Sequence, residues 1–176
     1  MPKKIALWTL MMMSQVGWGV NKPSFNLIDH CDIPATTIKS IAAKGVEDCQ
    51  NICAANMKCK AATFISGWGR CMLKSSVSPR FEITFYSGVV RAGIIGLSQL
   101  QISKLKEGNL KDVDLPGSDI KKVGKIKSAA ACRQSCSDEA SCHAFTYIDG
   151  YATCWHKGTK LRMVNKIFSC AIKGGS

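Results

Sequence analysis

The sequence predicts an α+β fold built from two copies of one small module, each with a single helix on a curved antiparallel sheet. An internal repeat and an unusual number of cysteines, ten in 176 residues, support this prediction. The segment CKAATFISGWGRC (59–71) recurs at the same length as CHAFTYIDGYATC (142–154). With that offset of 83 residues, cysteines 49, 53, 59 and 71 fall on cysteines 132, 136, 142 and 154. Four cysteines in one register indicate a tandem duplication.

The first predicted element of each copy is a helix. GVEDCQNICAANMKC (45–59) and SAAACRQSCSDEASC (128–142) are rich in helix-forming residues, and each carries a pair of cysteines four positions apart. This spacing places both cysteines of a pair on one helical face.

A hairpin and a closing strand follow each helix. In HAFTYID (143–149) the side chains alternate, which places Phe145, Tyr147 and Asp149 on one face of a strand. Glycines in SGWGR and DGYAT suit the hairpin tips. Each copy then closes its own sheet with an apolar strand, 81–90 or 163–172. We expect four aromatic side chains to be core residues: Phe64, Phe145, Tyr147 and Trp155.

The N-terminus has the layout of a secretory signal peptide, assigned to residues 1–20. Two lysines precede the apolar stretch IALWTLMMM, and small residues follow it. Nine apolar residues are too few to span a bilayer, which requires about 20. We therefore expect a secreted, soluble product without a membrane span, in a compartment where disulfides persist.

The formal net charge is +12. Such a surface favours anionic partners, namely acidic glycans, anionic membranes or acidic proteins. Nucleic acid is not expected as a partner, because a secreted oxidised protein rarely meets it.

The cysteine spacing resembles that of PAN/apple domains, which are disulfide-stapled helix-on-sheet modules. The resemblance is carried by CQNICAANMKCKAATFISGWGRCMLKSS (49–76) and CRQSCSDEASCHAFTYIDGYATCWHKGTK (132–160) and covers nearly all of residues 30–175. It implies four disulfides: Cys49–Cys71, Cys53–Cys59, Cys132–Cys154 and Cys136–Cys142. The domain boundaries that follow are 21–91 for the first PAN/apple domain, 92–110 for a linker and 111–176 for the second. The apolar residues of the linker suggest that part of it packs against a module, as an extra strand.

Two cysteines remain outside this scheme. Apple-type members join their first and last strands by a third bridge, but Gly88 stands where the first copy needs its late cysteine and Val113 where the second needs its early one. Cys31 and Cys170 can therefore pair with each other, pair with another chain to give a covalent dimer, or stay free. We favour an interdomain Cys31–Cys170 bridge because it leaves no unpaired cysteine.

No catalytic constellation is present in the sequence. The three histidines, His30, His143 and His156, belong to no catalytic or zinc motif, and no cysteine can be nominated as a free nucleophilic thiol. We predict no enzyme activity, no cofactor and no metal.

Binding is the remaining class of function. The resemblance implies recognition of proteins or carbohydrates, and two bare modules are similar to galactose-recognising lectins and adhesins of apicomplexan micronemes. A sugar site needs an aromatic ring and polar groups. The second copy offers Asp149, Tyr151, His156 and Lys157, a better polar set than the first copy. Two alternatives remain: a subunit or scaffold of a secreted complex, and a sulfated-glycan binder acting through the basic surface.

Overall fold

The computed structural model describes residues 23–174. The predicted signal peptide, residues 1–20, lies outside the described residues. The first part of the described chain forms these elements in order: β1 (Phe25–Asp29), β2 (Cys31–Asp32), β3 (Thr37–Ala42), α1 (Val46–Ala54), β4 (Ala61–Ile65), β5 (Arg70–Lys74), β6 (Phe81–Glu82) and β7 (Phe85–Val89).

The second part repeats the pattern after an additional helix. Its elements are α2 (Gln99–Glu107), β8 (Leu110–Lys111), β9 (Val113–Asp114), β10 (Asp119–Gly124), α3 (Ala129–Asp138), β11 (Ala144–Ile148), β12 (Thr153–Lys157), β13 (Val164–Asn165) and β14 (Phe168–Lys173). The predicted α+β class, with antiparallel sheets stapled to helices, is confirmed. Within residues 23–174 no helix has the length and apolar character needed to cross a bilayer.

The two copies exchange their last strands. One five-stranded sheet has the order β1-β14-β4-β5-β3, and the other has the order β10-β12-β11-β7-β8. The strand at the end of the chain thus lies between β1 and β4, while β7 of the first copy pairs with β11 of the second. We call residues 23–84 with 166–174 module A, and the continuous stretch 85–165 module B.

The exchange corrects the prediction that each copy closes its own sheet. The boundaries 21–91 and 111–176 assign β7 to the first copy and β14 to the second, and the sheets do not follow them. Connections of two residues join β6 to β7 (83–84) and β13 to β14 (166–167), so the chain passes directly from one module to the other.

Each helix is held on its sheet by the same pair of disulfides. Cys49–Cys71 and Cys53–Cys59 fasten α1, and Cys132–Cys154 and Cys136–Cys142 fasten α3. All eight of these cysteines are buried. The bridges supply stability that a module of this size cannot obtain from its apolar core alone.

The fifth disulfide, Cys31–Cys170, joins β2 to the exchanged strand β14. It therefore lies inside module A, whose sheet contains the end of the chain. All ten cysteines are within residues 23–174 and all are paired.

The structure assigns Ser87, and not Gly88, to the position that corresponds to Cys170. Cys170 lies opposite Thr63 and Ser87 lies opposite Thr146, which is the repeat equivalent of Thr63. Ser87 donates a 2.8 Å hydrogen bond to the carbonyl oxygen of Val113, so a hydrogen bond stands in module B where module A has a disulfide. Gly88 has another role, because a Cβ there would come within 2.8 Å of the Phe145 ring.

The predicted linker 92–110 packs against module B mainly as the helix α2, and its last residue, Leu110, begins the short edge strand β8 that pairs with β7. Ser98 caps α2 by accepting from the Gln101 backbone, and the Gln101 side chain accepts from the Ser98 backbone in return. Ile102 and Leu105 are buried. These local signals favour a helix in this segment.

Arg91, just after β7, binds the C-terminal end of α3. Its guanidinium donates to the carbonyl oxygens of Cys136, Ser137, Glu139 and Cys142. These carbonyls have few other partners at a helix end, and a cation there also interacts favourably with the helix dipole. The contact fastens the exchanged strand to its host module.

We expect Arg91→Ala to lower the free energy of unfolding by about 2 kcal/mol, since charged hydrogen bonds to the end of α3 are lost. Arg80→Ala, which removes an exposed arginine, is the control and should change stability little. Urea denaturation monitored by circular dichroism measures both. Equal stability of the two variants would contradict this role of Arg91.

We expect the disulfide that clamps β14 to stabilise the protein more than a short-range one. In the chain-entropy model, replacing Cys31 and Cys170 by Ser removes about 5 kcal/mol, because the bridge spans 139 residues. The same change at Cys53 and Cys59, which are 6 residues apart, removes about 2 kcal/mol. Urea denaturation without reductant compares the two double variants, and an equal loss would be the contrary result.

Candidate binding site

The four side chains predicted to form a site do not come together. Asp149 is exposed at the tip of the β11–β12 hairpin, where it accepts from the Tyr147 hydroxyl and the Gly150 amide. His156 and Lys157 are neighbours on β12 and therefore face opposite sides of the sheet. His156 is buried against α3, where its Nε2 lies 3.1 Å from the Ser135 hydroxyl.

Tyr151 links the two modules. Its hydroxyl donates to the Asp32 carboxylate of module A, and its ring lies 6.4 Å from that of Phe81. Partial burial and the hydrogen bond to Asp32 both raise the pKa of Tyr151. The residue thus fastens the hairpin of module B to module A.

Lys157 lies in a pocket of about 290 Å³ at the junction of the two modules. This inter-module pocket is lined by Trp68, Phe85, Asp114, Pro116, Gly117, Asp119, Ile148, Trp155, Lys157 and Lys166. A larger groove of about 580 Å³ lies elsewhere, around Ser78–Glu82. The inter-module pocket is the better candidate because it combines two tryptophans with four charged groups.

Both modules contribute to the inter-module pocket. Trp155 and Lys157 project from β12 on the side away from α3, and Asp114 and Asp119 come from β9 and β10. Trp68 belongs to module A, at the end of a short 3-10 turn between β4 and β5. The pocket is therefore incomplete in either module alone.

The two crossing points of the chain also line the inter-module pocket. Phe85 is the first residue of β7, and Lys166 lies between β13 and β14. The Phe85 ring packs on Phe168, its counterpart at the start of β14, with centroids 5.5 Å apart. The strand exchange and the pocket thus share the same residues.

Two lysine–aspartate pairs provide the polar groups of the inter-module pocket. The Lys166 ammonium lies 2.7 Å from the Asp114 carboxylate and 3.8 Å from the centre of the Trp68 ring. Burial lowers the pKa of Lys166, and the nearby Asp114 opposes that effect. The Lys157 ammonium bonds to Asp119. Paired in this way, the four groups offer donors and acceptors with little net charge.

The corresponding region of module A differs at several positions. Tyr151 stands where Trp68 stands in the pocket, and its hydroxyl binds Asp32, the equivalent of Asp114. The equivalents of Trp155 and Lys166 are Met72 and Ile83, which have neither an indole nor an ammonium group. The duplication has therefore not produced two equal sites.

The sequence missed most of the residues of the inter-module pocket. Trp155, predicted to be a core residue, is only partly buried, whereas Phe64, Phe145 and Tyr147 are buried as expected. Alternation along β12 places Trp155 on the same face as Lys157 and was a usable signal. No sequence signal places Trp68, Asp114 and Lys166 beside them, because they come from distant elements.

Within residues 23–174, no three His, Cys, Asp or Glu side chains lie close enough to hold a metal ion. The predicted absence of a metal site and of a catalytic centre stays a prediction.

Comparison with known proteins gives two matches to family models, each described as a PAN domain, at residues 23–92 and 113–157. Coagulation factor XI of Bos taurus is 26% identical over 113 residues, which cover 60% of this chain and 18% of that protein. The chain thus spans about 18% of the length of this curated relative.

We expect His156 to make stability depend on pH. Burial lowers its pKa below the usual value of 6.5, as does the nearby Lys121 ammonium. Below pH 6.5 the unfolded chain takes up a proton that the folded chain resists, so stability falls as the pH is lowered. We therefore expect the melting temperature of the wild type to fall more than that of His156→Gln when the pH is lowered from 7.5 to 5.

His143→Gln is the matched control for this measurement, because it removes another histidine and retains His156. Its melting temperature should fall between pH 7.5 and pH 5 as much as that of the wild type. An identical pH profile for His156→Gln and the wild type would contradict the role given to burial.

Proposed function

Because the chain belongs to the PAN/apple family, with two of its domains in tandem, we propose that it is a secreted, non-catalytic lectin whose inter-module pocket binds a galactose-type sugar. PAN/apple domains are typically protein- or carbohydrate-binding modules. Five disulfides are typical of proteins that work in oxidising compartments. One observation carries the choice of a sugar: two tryptophans and two lysine–aspartate pairs line a single pocket.

A sugar ring is chemically matched to the inter-module pocket. One face of galactose presents C–H groups that pack on an indole, and its hydroxyls both donate and accept hydrogen bonds. Trp68 and Trp155 supply the indoles. Asp119, whose side chain is half exposed, offers acceptor oxygens, and Lys157 offers donor protons. The pocket volume, about 290 Å³, suits one ring better than a larger compound.

The cellular role that we propose is that of an adhesin. The similarity to microneme lectins leads us to propose delivery through a secretory organelle of an apicomplexan parasite and a function in attachment to host cells. The N-terminal signal peptide over residues 1–20 belongs to the same proposal.

Two other partners are alternatives to a neutral sugar. An extracellular protein is the first, with the chain acting as a subunit or scaffold of a secreted complex or as a dimer. A sulfated glycan is the second, bound through the basic surface that gives the chain a net charge of +12. Neither alternative uses the paired charges of the inter-module pocket.

We expect galactose binding in isothermal titration calorimetry, with one site per chain, and a Kd raised about tenfold or more by Trp155→Ala or Lys157→Met. Lys74→Met is the matched control. Lys74 holds the position on β5 that Lys157 holds on β12, and it too is buried, with a 3.0 Å hydrogen bond to the Thr37 hydroxyl. Its variant should bind galactose as the wild type does.

A glycan array and a heparin column run at two salt concentrations separate the alternatives. Hits on galactose-terminated glycans that are insensitive to salt support the lectin. Strong heparin retention that falls with salt, without array hits, supports the sulfated-glycan binder. No signal in either assay would contradict the lectin and favour a protein partner.

A further inference from the structure

We propose that the inter-module pocket is the central part of a longer groove, and that the ligand is an oligosaccharide of at least three sugar rings. This inference rests on the proposed function, since it names the ligand class of the same site. Its basis is that two neighbouring depressions share lining residues with the inter-module pocket.

The first neighbouring depression, which we call the tyrosine flank, has a volume of about 380 Å³. Its lining consists of Lys122, Ile148, Tyr151, Thr153 and Trp155. Ile148 and Trp155 also line the inter-module pocket, so the two depressions share a wall.

Trp155 faces both depressions. The Lys122 ammonium, on the tyrosine flank, lies 5.5 Å from the centre of the Trp155 ring. The Lys157 ammonium, in the inter-module pocket, lies 5.8 Å from it. One indole can therefore contact two successive sugar rings, with an ammonium donor beside each.

The second neighbouring depression, which we call the proline flank, has a volume of about 460 Å³. It shares Pro116 and Gly117 with the inter-module pocket. Its other lining residues are Ile95, Gly96, Ser118, Lys160, Leu161 and Arg162. Ile95 is 62% exposed and offers an apolar contact, while Lys160 and Arg162 offer donors.

The backbone of the proline flank is tightly packed. Gly117 has φ +110°, and a Cβ there would come within 2.6 Å of the Lys160 carbonyl oxygen. Gly96 has φ +94° and approaches the Leu161 carbonyl oxygen in the same way. Only glycine allows such close contact between these segments. The flank is thus preformed, which reduces the entropy lost when a ligand binds.

A peptide suits this groove less well than a glycan. Peptides commonly bind by pairing with free backbone groups at a sheet edge. Along the proline flank several backbone amides are already used: Ile95 donates to Thr159, Leu161 to Ile95, and Arg162 to Pro116. These bonds leave less backbone for a peptide to pair with, and side chains give each of the three depressions an apolar surface with polar groups. This repeating pattern matches a chain of sugar rings.

The test is calorimetry on the full chain with galactose, lactose and the galactose-terminated tetrasaccharide lacto-N-neotetraose. We expect the Kd to fall about tenfold or more from galactose to the tetrasaccharide. Ile95→Ser combined with Arg162→Ala on the proline flank, and Lys122→Ala on the tyrosine flank, should each bring the ratio of these two Kd values closer to one.

Lys127→Ala and Arg80→Ala, which remove exposed cations outside the three depressions, are the controls and should retain the wild-type ratio. Equal Kd values for all three sugars would overturn the groove and leave the proposed function intact. The groove would also be overturned if the variants on both flanks kept the wild-type ratio of the Kd values for galactose and the tetrasaccharide. Binding of none of the sugars would remove the proposed function, and the groove with it.

Discussion

The structure depends on the exchanged strand β14, which comes from the second repeat but lies in the sheet of module A. The final strand, β14, lies between β1 and β4, and Cys170 ties it to Cys31. Without β14, the first strand has no neighbour in its sheet. The reciprocal strand β7 completes module B and carries Arg91 to the end of α3. Each sheet therefore contains a strand from the other repeat, and the two repeats are not independent domains.

This exchange also creates the candidate site. The chain crosses from one module to the other just before Phe85 and again at Lys166, and both residues line the inter-module pocket. Trp68 reaches the pocket from the hairpin of module A, while Tyr151 reaches Asp32 from the hairpin of module B. The two hairpin tips thus occupy equivalent places but make different contacts. Duplication supplied two similar frameworks, and substitution of a few side chains at the junction made one of them distinct.

The buried ion pair of the inter-module pocket is expected to add little net stability. Removing an ammonium and a carboxylate from water costs several kcal/mol, and a buried ion pair often recovers no more than that. Lys166 and Asp114 are both buried, and the lowered pKa of Lys166 reflects this cost. Ser87 shows that module B can satisfy buried polar groups without charge, since it bonds to Val113 and Thr146 at the place of the absent disulfide.

The sequence by itself determined the unit of construction. Four cysteines in register, a helical pair spaced by four and a strand that alternates around Phe145 and Tyr147 were sufficient for the helix-on-sheet module, because these signals are local. The sequence did not reveal that the pleat of β12 turns His156 to the helix while Lys157 faces the pocket, or that the Tyr151 hydroxyl contacts Asp32. Only the tertiary structure decided which sheet each last strand enters, because the local pattern of two apolar strands from equivalent repeats does not distinguish the two sheets. The inter-module pocket depends on that choice, since Phe85 and Lys166 lie where the chain crosses between the modules and Trp68 comes from module A.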